Sequence, residues 1–214
     1  MLLPESSSIK PRMYVSTPLP ENFGDIAPMD RFREWFEHAS NGGVLEPDAF
    51  VLSTFDGKST QARTVALRGI SERGFLIYTN YHSKKAREMD ANPDVSLTFY
   101  FRENYRQIRV QGTSQKVSEE QSDKYFASRP RGSQVGAWVS RQSEPLSSRE
   151  ELNNLYTQVE KDLNGNISRP PFWGGYEIVA NEFEFMQGHE NRLHDRFHFV
   201  LSENGSFKCE RLWP

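Results

Sequence analysis

The sequence predicts a mainly β protein: an antiparallel, closed or split barrel of Greek-key character, with helices flanking it. Three observations carry that expectation. Short runs rich in β-branched and aromatic residues recur along the 214 residues, separated by Gly, Asn and Asp turn signals. Strands and helices do not alternate, so the βαβ units of a doubly wound sheet are absent. The longer helical patterns lie at the start of the chain and in a late insertion between strands.

In chain order, residues 1–28 hold five of the twelve prolines and little periodicity. They read as an extended arm ahead of one domain over residues 29–214. Phe32, Trp35 and Phe36, at i, i+3 and i+4, give an amphipathic helix over Met29–Ser40, stopped by Asn41-Gly42-Gly43. Ala49–Phe55 is a strand, and Asp56-Gly57 after it is a hairpin turn signal. Ala62–Leu67 and Phe75–Thr79 follow as strands on either side of Gly74. Ser83 is the N-cap of a short helix to Met89 that ends before Asn92-Pro93. Val95–Phe101 and Arg106–Val110 are strands, the second running on toward Val117. Ser118-Glu119-Glu120-Gln121 is a capping box, so a helix runs to about Ser128, where Arg129-Pro130-Arg131-Gly132 breaks it. A shorter helix covers about Ser133–Val139, and a polar one covers Ser147–Leu163, closed by Asn164-Gly165. Gly174–Ile178, Phe183–Phe185, Arg196–Leu201 and Phe207–Arg211 complete the strands.

Fifteen Phe, eight Tyr and four Trp supply enough bulk for a sizeable core. The net charge of −3 provides no global basic field for nucleic acid or an anionic membrane, so any anion site must be local. A single cysteine, Cys209, excludes a disulfide within the chain and a cysteine-built zinc site, and fits a reducing cytosol. The first residues, MLLPESSSIKPR, lack the apolar stretch of a signal peptide, and no run approaches the ~18 apolar residues of a membrane span.

Common catalytic engines are missing: there is no Gly-rich phosphate loop and no serine nucleophile elbow. His194 and His198 lie on a segment that reads as a strand, with no third ligand, so no metal is expected. What stands out is cationic chemistry at element ends. Ser83-Lys84-Lys85 opens a helix, where free N–H groups, the helix dipole and two ammonium groups favour a phosphate. Arg63 starts a strand of small and apolar residues. Tyr125 and Arg129 share a helical face at i, i+4, and with Arg131 and Ser133 could hold a second phosphate. Arg192, His194 and Arg196 alternate onto one face of an extended segment and call for an anionic or electron-rich partner. Taken singly, each cluster is also what a solvated surface or a salt-bridge ladder looks like.

The blocks RTVALRG at 63–69, IYTNYHSKKA at 77–86, RQIRVQG at 106–112, YFASRPRGSQVGAWVSRQS at 125–143, FWGGY at 172–176 and FMQGHENRLHDR at 185–196 occur together in this order. In them the chain resembles the pyridoxine (pyridoxamine) 5′-phosphate oxidases, from about Pro28 to its end. The resemblance implies an FMN-binding split barrel and a homodimer with two FMN sites at its interface. Arg63, Lys85 and Lys84 would hold the FMN phosphate, and Thr64, Val65, Tyr78 and Thr79 would flank the flavin. Gln107, Gln142 and Ser143 would contact FMN, some of them from the other subunit, and Arg196 would lie near the ring. Arg68, Tyr125, Arg129 and Ser133 would take the substrate phosphate, with Arg192 and His194 beside the pyridine ring as the catalytic pair. The substrate would be oxidised through FMN by O2, giving H2O2.

Three departures fall on the substrate side. Arg68 stands where the family has Lys. Met186 stands where it has a Trp beside the flavin. Pro11-Arg12-Met13-Tyr14 only weakly matches the family's Arg-Arg-x-Tyr arm. A related branch of the fold, which oxidises dihydrophenazine carboxylate precursors in phenazine biosynthesis and needs no substrate phosphate, is therefore the alternative. A flavin- or pyridoxal-phosphate-binding protein without catalysis is the second.

Overall fold

The computed structural model describes residues 16–163 and 165–214. Of the proposed arm, residues 1–15 lie outside the described residues, as does Asn164. The segment from Ser16 to Pro20 carries no regular secondary structure, and a 3-10 turn follows at Glu21–Asp25 whose Phe23 is buried. The chain divides into two compact units. Unit 1 comprises residues up to Pro47, Thr98–Arg109 and Glu182–Pro214; unit 2 comprises Asp48–Leu97 and Val110–Asn181.

The strands are β1 (Ala49–Phe55), β2 (Thr60–Ala66), β3 (Gly69–Ile70), β4 (Gly74–Asn80), β5 (Asp94–Phe101), β6 (Arg106–Lys116), β7 (Trp173–Gln187), β8 (Asp195–Leu201) and β9 (Phe207–Arg211). They are ordered β2-β1-β5-β6-β7-β4-β3, with β8 on β7 and β9 on β8. The pairings β1–β2, β3–β4, β4–β7, β7–β8 and β8–β9 are all antiparallel. The helices are α1 (Pro28–Asn41), α2 (Lys84–Ala91), α3 (Glu119–Ser128), α4 (Arg131–Val139) and α5 (Arg149–Asp162). No described helix is long and apolar enough to cross a membrane.

In unit 1, α1 buries Met29, Phe32, Trp35 and Ala39, so Phe32 and Trp35 of the expected face are in the core while Phe36 is only half-buried. Phe23, Trp35, Phe185 and Phe197 close into an aromatic cluster, with edge contacts at 5.3–5.8 Å and Phe23 tilted on Phe197 at 4.8 Å. Gly42 takes over where α1 ends, its N–H on His38 O, and Gly43 adopts φ +77°. In unit 2, Phe126, Val135, Ala137, Ile167 and Trp173 form one core cluster, with Tyr78, Tyr125 and Tyr156 packed against it.

Several boundaries differ from the sequence reading, each for a local reason. The turn after β1 is a four-residue loop, because the Asp56 carboxylate accepts from Lys58 N and Ser59 N and Gly57 takes φ +89°. The helix expected from Ser133 starts at Arg131, since Pro130, with φ −53°, serves as its N-cap. The two late strands expected at Gly174–Ile178 and Phe183–Phe185 are one, β7. Its ladder passes from β4 (Gly74 opposite Val179) to β8 (Glu182 opposite Val200), and Ala180 N–H bonds Arg73 O between them. Pairing thus holds Ala180-Asn181 in a conformation that their own propensity disfavours.

Candidate cofactor and substrate site

A cavity of about 660 Å³ opens in unit 2, a normal size for a small-molecule site. Ten of the residues singled out from the sequence line it: Thr64, Val65 and Arg68 from β2 and the loop after it, Tyr78 and Thr79 from β4, Lys85 from α2, Tyr125 from α3, Arg129 and Ser133 around the α3–α4 break, and Gln142. Glycines place the β4 wall. Gly175 pairs with Tyr78 and Gly174 with Thr79. A Cβ on Gly175 would sit 2.7 Å from Tyr78 Cε1 and from Val117 Cγ2, so the Gly-Gly pair lets the tyrosine lie against β7.

At the α2 end, Lys85 Nζ donates to Gln142 Oε1 (2.9 Å), Thr79 Oγ1 (3.1 Å) and Ser83 Oγ (3.4 Å). Burial, and then the nearby Arg63 guanidinium, bring its pKa down to about 8. Arg63 sits mid-strand opposite Leu52 and bonds Thr54 Oγ1 (2.6 Å) and Glu88 Oε2 (2.8 Å). Glu88 is buried; its Oε1 accepts no hydrogen bond, with Lys84 Nζ 3.9 Å away. The N–H groups expected to be free at this helix start are partly used: Ser83 Oγ accepts from Ala86 N, and Ser143 Oγ from Lys84 N. Ser143 holds φ +75°, an uncommon conformation for a serine.

At the α3–α4 end the arrangement is different. Arg129 is the C-cap of α3, with ψ 148°, so it leaves the helical face it was expected to share with Tyr125. Both side chains nonetheless reach the same cavity. Arg129 lies over the Trp173 ring at 4.5 Å, and its Nη1 is buried without a hydrogen-bond partner. Burial pushes its pKa below the usual guanidinium value. Tyr78 and Tyr125 stack at 3.8 Å, and Trp173 lies parallel to them at 5.8 and 6.2 Å. Burial raises the Tyr78 phenol, so it stays protonated at neutral pH. Arg68 pairs with Asp48 at 2.9 Å, both half exposed. Arg131 points elsewhere, donating to Gly165 O (3.2 Å) and Leu163 O beyond α5.

Gln107, Met186, Arg192, His194 and Arg196 belong to unit 1. Arg196 is held by Glu184 through Nε (3.1 Å) and Nη2 (2.9 Å) and pairs with Met186 across β7–β8. The single extended face expected for Arg192, His194 and Arg196 is not formed. Glu190–Arg192 is a 3-10 turn, Asn191 and Arg192 take φ +55° and +63°, and β8 begins only at Asp195. His194 therefore precedes the strand that carries His198.

Two participants went unread in the sequence. Trp173 lines the cavity, yet as part of FWGGY it carried no polar signal. Glu88 looked like an ordinary helix charge; its four-residue spacing from Lys84 was the available hint.

Lys85 meets only neutral oxygens, Arg63 stands close to it, and Arg129 Nη1 has no partner. These groups fit bound anions at both ends of the cavity, including the phosphate of a flavin nucleotide.

A family model described as pyridoxamine 5′-phosphate oxidase matches residues 36–160, and one described as the pyridoxine 5′-phosphate oxidase C-terminal dimerisation region matches 173–214. A pyridoxine/pyridoxamine 5′-phosphate oxidase of Rubrobacter xylanophilus is 50% identical over 206 residues, covering 95% of this chain and 94% of that one. One from Microcystis aeruginosa is 45% identical, covering 86% of each. Among solved structures, PhzG from Burkholderia lata, in complex with tetrahydrophenazine-1-carboxylic acid, superposes with a TM-score of 0.86 at 28% identity over 92% of this chain and 98% of that one. A pyridoxamine 5′-phosphate oxidase-related, FMN-binding protein from Nostoc punctiforme gives 0.71 at 14% identity over 88% and 99%, a likeness of fold alone. The fold is the split barrel expected from the sequence.

Proposed function

The chain belongs to the pyridoxamine 5′-phosphate oxidase family, and on that premise we propose that it is an FMN-dependent oxidase converting pyridoxamine or pyridoxine 5′-phosphate to pyridoxal 5′-phosphate, with O2 as acceptor and H2O2 as product, water being taken up and ammonia released where the substrate is the amine. The observation that carries this reading is one cavity walled by two cations, Lys85 and Arg129, the second with a buried nitrogen that has no hydrogen-bond partner. A phosphorylated cofactor and an anionic substrate each call for a cation, and the Tyr125 and Ser133 hydroxyls that line the cavity with Arg129 suit the several oxygens of a phosphate.

Arg63, Lys84 and Lys85 bind the FMN phosphate. Thr64, Val65, Tyr78, Thr79, Gln142 and Ser143 surround the rest of FMN, and Gln107, Met186 and Arg196 contribute to it across the homodimer, some of these contacts coming from the other subunit. Arg129 offers its unpartnered Nη1 to the substrate phosphate, aided by Arg68 and by the hydroxyls of Tyr125 and Ser133. Arg192 and His194 orient the pyridine ring. When bound, FMN supplies the redox chemistry, taking up the hydride that leaves the substrate carbon and passing electrons to O2. The chain's own contribution is orientation and positive charge rather than a strong acid or base. Desolvation, then the charges of His189, Arg192 and Arg196, depress His194, which keeps its ring neutral at pH 7. The working form is a cytoplasmic homodimer, a reading supported by the dimerisation-region match and the single cysteine.

The test is anaerobic. Adding pyridoxamine 5′-phosphate to the FMN-loaded protein without oxygen should bleach the yellow flavin band, and air should restore it. A band that stays yellow would reject this substrate. The likeness to PhzG favours one second reading, oxidation of a dihydrophenazine carboxylate; bleaching by that compound and not by the B6 phosphate would select it.

A further inference from the structure

Unit 1 contains a hydrogen-bonded hub that none of the assigned roles uses. Its centre is the Asp195 carboxylate, which is largely buried. Oδ2 accepts from Leu19 N (2.8 Å) and faces His189 Nε2 (2.8 Å), while Oδ1 accepts from Arg211 Nη1 (3.0 Å). A carboxylate only accepts, so His189 carries a proton on Nε2. The other nitrogen of that ring, Nδ1, meets Ser16 Oγ at 2.9 Å, and the same hydroxyl also bonds Gly188 O. From the backbone of this fixed residue, His189 N–H donates to His194 Nδ1 at 3.0 Å. An N–H donor at Nδ1 leaves the ring proton of neutral His194 on Nε2. Between His189 and His194 the chain bends through Asn191 and Arg192 at φ +55° and +63°, a conformation that needs support from its surroundings.

We propose that His189 and Asp195 are positioning residues. Together with Ser16 and Leu19 they clamp both ends of the 189–195 turn, hold Arg192 in its left-handed conformation and select the Nε2–H tautomer of His194. The inference rests on the reading above only in that His194 and Arg192 serve the substrate ring; the tautomer and the clamp do not depend on which substrate is used. Neither residue touches substrate or cofactor in this scheme. Their effect travels through the backbone of the turn, so it should appear in turnover and not in FMN affinity.

The experiment uses the full-length, FMN-loaded protein and compares wild type with His189→Ala, His189→Gln, Ser16→Ala and the Ser16→Ala/His189→Ala double variant. Imidazole nitrogen shifts should show one Nε2–H tautomer of His194 in the wild type and an averaged ring in His189→Ala. Amide exchange at Leu19 and His189 should accelerate in that variant while β4 amides stay protected, which reports an intact fold. With pyridoxamine 5′-phosphate, kcat should fall about tenfold, since displacement of ring contacts by a fraction of an ångström is costly. KM and FMN affinity should stay within about twofold, as neither phosphate site is touched. Gln, which can still donate to Asp195, should recover most of the loss, and Ser16→Ala should add little on top of His189→Ala because the two act through one clamp. An unaveraged His194 tautomer in His189→Ala, or a parallel loss of FMN affinity, would overturn the proposal. Should the wild type fail to turn over this substrate, the functional reading falls, while the tautomer and exchange results still decide the clamp.

Discussion

At the α2 end of the unit 2 cavity Arg63 and Lys85 have found oxygens of their own chain, while Lys84 Nζ stands 3.9 Å from the buried Glu88 Oε1, which accepts no hydrogen bond. Arg63 is bound to Glu88 and Thr54, and Lys85 to Thr79, Ser83 and Gln142. At the α3–α4 end Arg129 is stacked on Trp173, yet one of its buried nitrogens bonds nothing. The first end is pre-organised and nearly balanced, which suits a group that docks once and stays. The second keeps an unmet demand, which suits a ligand that must bind, react and leave in every turnover. An unsatisfied buried guanidinium nitrogen costs free energy until an anion arrives, and that cost is returned as discrimination in favour of phosphate.

The largest effect should come from breaking the open end. Arg129→Ala removes a charge-assisted, partly desolvated contact worth roughly 1.5–3 kcal/mol, so KM for pyridoxamine 5′-phosphate should rise about 10- to 100-fold with FMN affinity nearly unchanged. Equal losses of both, measured by steady-state kinetics and by quenching of flavin fluorescence, would erase the distinction between the ends. Next comes the pH dependence of the closed end. Lys85 has a pKa of about 8 before phosphate arrives. Below that value it is charged and attracts the anion; above it the charge is lost unless phosphate binding restores the proton. The FMN dissociation constant should therefore be flat below pH 8 and climb up to about tenfold per pH unit above it, and Lys85→Arg should flatten the climb. Glu88→Gln sharpens the comparison by leaving Arg63 without its counter-charge. A buried charged hydrogen bond of about 1–3 kcal/mol is lost, and the cofactor-free protein should melt several degrees lower in a thermal scan. The smallest effect belongs to Arg68→Lys. Lysine keeps the positive charge offered to the substrate, and the pair with the similarly exposed Asp48 contributes only about 0–1 kcal/mol, so KM should move by less than about threefold.

Much of this was legible beforehand, and the exceptions share a cause. Hydrophobic spacing located α1, capping residues located the starts of α2 and α3, and the cationic motifs named four of the cavity's wall residues, Lys85, Tyr125, Arg129 and Ser133, while the family resemblance supplied the other six. These signals are local: a cap, a turn or a stripe is written within a few residues. The failures needed a partner far along the chain. β7 is one strand because β4 and β8 each hold part of it. Trp173 became a wall of the site only when Arg129 came to lie on its face and Arg169 fixed its carbonyl at 2.6 Å. Glu88 gained its meaning from Arg63, 25 positions earlier. The extended face read into Arg192, His194 and Arg196 failed because alternation says nothing about residues with positive φ.

The Asp195 hub also sets a timetable. Leu19 is among the first described residues of the chain, and the carboxylate that takes its amide lies 176 positions later. The guanidinium on the other oxygen, Arg211, comes three residues before the end. At the ordinary pace of a ribosome, roughly 5–20 residues per second, Leu19 waits on the order of ten to thirty seconds for Asp195 to be made. It waits longer for Arg211, sixteen residues further on. During that interval Phe23 has Trp35 within reach but not yet Phe185 or Phe197, the other rings of its cluster.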